Sequence, residues 1–335
     1  MNNRFIEELQ YLEGFSTFCY QNCIMNIWKM WGVKYPQIYI NCSLKFNIKI
    51  KDDGRIKYEH DLESRGTLPL YSDLVKRKYE KEKTAYDVFL SNVSYIEKQK
   101  RPIIVGVDTY YLEYCTNYEK NHAAHTLILE GYDCKKHNVK VIDWYYPWFY
   151  VGEIKLTKFL QARKSKNEYD GTRFSGVSID NNWAKVLPVG TENDTRELIK
   201  QQLALSLKQY YLSDSLSKGL KALEFVVNRL SKERFKDERL YEDISDIFFQ
   251  LKCNISLFME AIKVCKERYS NSYVDSLLDS YMVEIRELDV LNLNFLKMKV
   301  LNKKEVNPQI VHVANHILDM EKRNYEIINM IYEHI

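Results

Sequence analysis

The sequence predicts an α+β domain with an antiparallel sheet over residues 1–188, followed by an all-α helical domain over residues 189–335. Three observations carry this expectation. Residues 1–190 hold ten of the eleven Gly and five of the six Pro, leaving only Gly219 and Pro308 beyond. Both residue types punctuate turns and break helices, so a mixed fold should come first and long helices second. Three apolar runs of strand length also lie close together: IIVGVD (103–108), HTLILEGYD (125–133) and VKVIDW (139–144). The last two are joined by DCKKHN, a polar turn of hairpin length. Finally, the chain beyond Leu187-Pro188-Val189-Gly190 keeps a helical period.

The elements follow in order. CYQNCIMNIWKMWG (19–32) reads as a helix that starts at Cys19, sets Ile24, Ile27, Trp28 and Trp31 on overlapping faces, and stops at Gly32. Residues 84–100 form a second amphipathic helix, from Thr84 through Tyr86, Phe89, Val93 and Ile96. Pro102 then opens the three strands. Past residue 190, TENDTRELIKQQLALSLKQYYL begins with Asn, Asp and Thr as capping candidates. Further helices are expected around 214–230, 238–268, 272–300 and 308–333, with Pro308 suited to a first helical position.

Composition limits the function classes. At 335 residues, with 45% hydrophobic and 28% charged content, the chain can bury a sizeable core. Its net charge is only +3. The Lys-rich run from Lys76 to Lys83 alternates with Glu, which suits a solvated face rather than a nucleic-acid track. Seven cysteines without regular spacing point to a reducing compartment instead of a disulfide scaffold. MNNRFIEELQYLEGF lacks the apolar core of a signal peptide, and no apolar run approaches the ~20 residues of a membrane span. The expectation is a cytoplasmic protein without membrane or nucleic-acid partners.

Against that background, Cys19, His125 and Asp143 stand out. A cysteine leading into a helix, a histidine leading into a strand and an aspartate ending the next strand supply a thiol nucleophile, its base and the base's orienter. The positive end of a helix favours thiolate over thiol, and its amides can face a developing oxyanion. A hairpin about DCKKHN would bring the Asp143 carboxylate to the His125 ring. Taken singly, each residue has a plain structural reading: a buried thiol, a strand-end histidine, a turn aspartate. Cys23, one helical turn along, is the rival nucleophile.

Cys19-(x)3-Cys23 with Gly32 thirteen residues after Cys19, the strands PIIVGVD, HTLILEGYD and VKVID, and VDTYYLEY (107–114) together resemble the N-terminal domain of the butirosin biosynthesis acyltransferase family. That family is similar in pattern to the bacteriocin-processing cysteine peptidases, so the resemblance implies a papain-like domain over roughly residues 10–180. It matches Cys19 to the nucleophile, His125 to the base and Asp143 to the orienting acid. It further implies acyl transfer in antibiotic biosynthesis, from a phosphopantetheine thioester on a carrier protein to a small-molecule amine, with no bound cofactor. Asp108, with Tyr110 and Tyr111, is the candidate binding group for that amine; the competing reading of Asp108 is a cap for the loop after its strand. Peptide or amide hydrolysis by the same residues, and a catalytically idle module that docks a carrier protein, remain alternatives.

Other signals carry less. His122-x-x-His125 and the pair His312/His316 lack the further ligands of a metal site, and none is expected. Trp144, Tyr145, Tyr146, Trp148, Phe149 and Tyr150 form an aromatic lip that suits either a substrate or the edge of a sheet. The C-terminal helices carry no chemical motif; they are expected to cover the cleft or to join copies of the chain.

Overall fold

The computed structural model describes residues 18–59, 66–190, 194–230, 238–269, 271–303 and 305–335. The N-terminal stretch read above, residues 1–17, lies outside them. In chain order the elements begin with helix α1 (Cys19–Met30) and the short strands β1 (Ile48–Ile50) and β2 (Ile56–Tyr58). Strand β3 (Val75–Lys78), helix α2 (Ala85–Gln99) and strands β4 (Ile103–Asp108), β5 (Ala124–Asp133), β6 (Asn138–Asp143) and β7 (Tyr150–Lys155) follow. Helix α3 (Leu156–Lys164) and strand β8 (Trp183–Val186) precede helices α4 (Thr195–Ser206), α5 (Gly219–Leu230), α6 (Glu238–Arg268), α7 (Ser272–Val300) and α8 (Pro308–His334).

The chain divides into two compact units, Met1–Ile40 with Gly66–Thr191, and Asn41–Arg65 with Glu192–Ile335. The first is α+β. Its six-stranded sheet has the order β3-β8-β4-β5-β6-β7, antiparallel throughout. Val105, Val107, Leu127, Leu129, Val139 and Val141 alternate onto one face and meet Phe89, Val93 and Phe159 from α2 and α3 in a buried core. Thr84 caps α2 by accepting the Asp87 N–H, and Lys100 in the left-handed region ends it. Tyr86, expected on the apolar face of that helix, is half exposed at 50%.

Helix α1 owes its place to the apolar stripe read from the sequence: Ile24, Ile27 and Trp28 are fully buried. The Trp28 indole N–H donates to the Leu187 carbonyl at 2.9 Å. Gly32, at φ +82°, makes the turn that ends the element.

The second unit is helical apart from the β1–β2 hairpin. The single boundary expected near residue 188 leaves this segment with the sheet; the described residues 41–59 group with the helices instead. The Ile48 N–H donates to the Ser217 carbonyl at 2.8 Å, the Gly219 N–H to Phe46 at 2.6 Å, and Asn254 to the Tyr58 hydroxyl at 3.1 Å. Three-residue strands show no periodicity in a sequence, and their pairing with a distant helix shows none either. A π-turn over Leu207–Tyr211 extends α4. No helix among the described residues is long and apolar enough to cross a membrane.

Candidate active site

The site is assembled in the first unit from one helix start and two strand ends. Phe18 enters α1 in an extended conformation and offers no capping side chain. The first intrahelical bond runs from the Asn22 N–H to the Phe18 carbonyl at 2.9 Å, so the Cys19 and Tyr20 amides stand at the positive helix end without a helical acceptor. The Asn22 side chain donates to the Trp144 carbonyl at 2.6 Å, tying this helix start to the chain leaving β6.

Strand β5 pairs His125 with Val107 of β4, and it pairs Ile128 with Ile142 of β6. The hairpin expected about DCKKHN therefore forms, and it delivers Asp143 to His125. Nε2 of His125 lies 2.9 Å from Oδ1 of Asp143, with both side chains buried, at 5% and 1% residue exposure. Nδ1 is thus the ring nitrogen that Asp143 leaves free, and Cys19 lies close enough for its charge to act on His125.

The electrostatics separate the two thiols of α1. Burial pushes the Cys19 thiol up, but the charge and hydrogen bond of His125 and hydrogen bonds at Thr126 bring it below the ordinary range. Burial opposes protonation of His125; the charges of Asp143 and Cys19 prevail and lift its pKa to about 10. The two shifts describe a thiolate–imidazolium pair. Cys23 has the opposite character. Its thiol is buried, lies 3.5 Å from the Thr126 carbonyl, and is held well above the ordinary range by burial and by the charges of Cys19 and Asp143. Cys19 retains partial exposure. Between the rivals, Cys19 is the thiol whose pKa is lowered and Cys23 the one whose pKa is raised.

Four contacts were not foreseen. The Tyr114 hydroxyl donates to Oδ2 of Asp143 at 2.8 Å, while its ring stacks on Tyr150 at 4.0 Å and 5°. The edge of Trp148 meets the His125 ring at 4.8 Å, with Tyr145 at 5.4 Å. These aromatic groups of the lip screen the imidazole, whereas Tyr146 is 73% exposed. Tyr114 lay in VDTYYLEY, but nothing in a sequence shows where a phenol points.

Asp108 is not the open carboxylate expected for an amine. It is fully buried and has four protein partners: the Tyr110 and Ala123 amides on Oδ1, both at 3.1 Å, and His122 Nδ1 and Ser165 Oγ on Oδ2, at 2.7 and 2.6 Å. Tyr110 stacks on His122 at 4.4 Å, and Tyr111 meets Tyr110 edge-on. The cap reading holds, and the three residues form a knot that fixes the loop after β4. His122 and His125 thus turn to different carboxylates. Among the described residues no cluster of three His, Cys, Asp or Glu is placed to hold a metal.

Fold and site define an α+β protein with a Cys–His–Asp constellation spanning a helix start and paired antiparallel strands. No protein-family model matches the chain, and no curated protein matches it.

Proposed function

We propose that the chain is a cysteine-dependent acyltransferase of papain-like fold. The observation that carries this is the buried His125–Asp143 hydrogen bond beside Cys19, with the thiol lowered and the imidazole raised by each other's charge. In the first half-reaction the Cys19 thiolate attacks the carbonyl of a carrier-bound thioester. The Cys19 and Tyr20 amides face the oxyanion, and the carrier thiol leaves with the proton that His125 gives up. In the second, an amine attacks the acyl-Cys19 thioester; His125 accepts the amine proton and returns it to the Cys19 sulfur as the amide forms. Asp143 holds the ring with Nδ1 turned to sulfur and supports its positive charge.

Transfer to an amine, the carrier-protein donor and a place in antibiotic biosynthesis rest on the motif resemblance. Hydrolysis is the second reading, because a water molecule could replace the amine at the same acyl-enzyme. Incubation with acyl-phosphopantetheine thioesters and a panel of primary amines, followed by intact-mass analysis, tests the proposal. The expected result is an acyl adduct on Cys19 that decays faster with amine than with buffer alone. An adduct released only by water would assign a hydrolase, and no adduct at all would leave a binding module.

A further inference from the structure

Helix α7 buries one face and leaves an apolar stripe on the other. Leu277, Leu288, Leu291 and Phe295 are fully buried, whereas Met282, Val283, Val290, Leu293, Leu296 and Val300 are 43–83% exposed. At 100° per residue the exposed set falls within one arc opposite the buried set, and the stretch from Met282 to Val300 extends roughly 28 Å. Six exposed apolar side chains on one arc, with exposed Arg286, Asp289 and Lys297 interspersed among them, mark an interface.

The charges along the same arc show what covers it. Asp275 and Asp279 lie at its N-terminal end and Lys297 at its C-terminal end, all exposed. Neither Asp279 nor Lys297 is in an ion pair among the described residues. A parallel copy would set Asp279 against Asp279 and Lys297 against Lys297. An antiparallel copy about a twofold axis opposite position 288 sets Asp279 against Lys297 twice. The same register brings Val283 to Leu293 and places Arg286 beside Val290. Self-complementarity of this kind is what an isologous dimer requires.

We propose that α7 is the self-association surface of the protein, pairing antiparallel with α7 of a second copy in this register. Sedimentation velocity on the full chain across a concentration range tests it. The expected species is a dimer, with Leu293→Asp giving a monomer of little-changed melting temperature because Leu293 is 58% exposed. Asp279→Lys weakens the dimer at least about tenfold, and adding Lys297→Asp restores it. The register has its own test in a Cys134→Ser background carrying Asp279→Cys and Lys297→Cys. Those positions are roughly 27 Å apart in one helix, beyond disulfide reach, so oxidation must give a covalent dimer. A monomer at every concentration, a dimer indifferent to Leu293→Asp, or charge reversal without rescue overturns the proposal.

Discussion

Tyr114 donates its hydroxyl to Oδ2 of Asp143 at 2.8 Å, the carboxylate oxygen that His125 leaves free. Burial, reinforced by the Asp143 charge, holds the phenol well above its ordinary range, so it stays a donor across the working pH. The residue thereby fixes the rotation of Asp143 and, through it, of the imidazole. Tyr114→Phe keeps the stack on Tyr150 and removes one charge-assisted hydrogen bond, which is worth ~1.5–3 kcal/mol. Acyl-enzyme formation should fall roughly tenfold or more, and the melting temperature should drop by several degrees in step with the lost hydrogen bond. An unchanged rate would show that Asp143 needs no such support.

Asp143 acts on His125 in two ways that substitution separates. In Asp143→Asn the amide oxygen can still accept from Nε2 and hold the ring, but the negative charge that raises His125 is gone. Thiolate formation at Cys19 should then move to higher pH, with the saturating alkylation rate retained. Asp143→Ala loses both orientation and charge, and both the midpoint and the plateau should suffer. Identical pH profiles for the two variants would contradict this division.

In the second unit Glu284 and Glu321 are both fully buried beside Tyr211, Tyr281 and Asn324, with the Tyr211 hydroxyl 2.6 Å from Glu321. Burial lifts Glu321 to about 7, and burial with the Glu321 charge lifts Glu284 well above its ordinary range. A carboxyl raised in the folded state keeps its proton where the unfolded chain has lost it. Its stability contribution is whole below the unfolded pKa and is lost as pH rises through about 7. Melting temperature should therefore drop between pH 5 and 8, Glu321 alone accounting for about 3 kcal/mol. Glu321→Gln should flatten that dependence; an equally steep profile in the variant would argue against Glu321 as its source.

Arg163 is fully buried at the end of α3, with its guanidinium on the carbonyls of Gly106, Asn181 and Asn182. Those bonds clamp the β4 end against the segment entering β8. Arg163→Met removes the donors and leaves buried carbonyls unsatisfied, so we expect destabilisation of at least ~3 kcal/mol by denaturant unfolding. A loss under 1 kcal/mol would mean that the carbonyls find other donors.

Much of this arrangement is legible in the sequence because it obeys periodicity. The α1 stripe, the β5–β6 hairpin and the five C-terminal helices each repeat an apolar pattern over enough residues to be read. Cys19, His125 and Asp143 are legible because each sits where such an element begins or ends. What escaped the sequence depends on tertiary direction. Strands β3, β7 and β8 are short or polar on one side, and the β1–β2 hairpin joins the helical unit through bonds to residues some 170–200 positions away. Asp108 kept two readings, amine binder or loop cap, because sequence gives position and not solvation; four protein partners, one of them 57 residues away, close it. Tyr114 was noted with its neighbours, yet its role required knowing that its hydroxyl ends on Asp143.

The central claim is that Cys19 exists as a thiolate supported by His125 and Asp143. The rate of Cys19 alkylation by iodoacetamide, followed by intact mass and peptide mapping from pH 4 to 10, tests it directly. The account predicts reaction well below the ~8.5 midpoint of an ordinary cysteine, with that advantage lost in His125→Ala and kept in Cys23→Ala. A wild-type midpoint at or above ~8.5, or one that His125→Ala leaves in place, would contradict it.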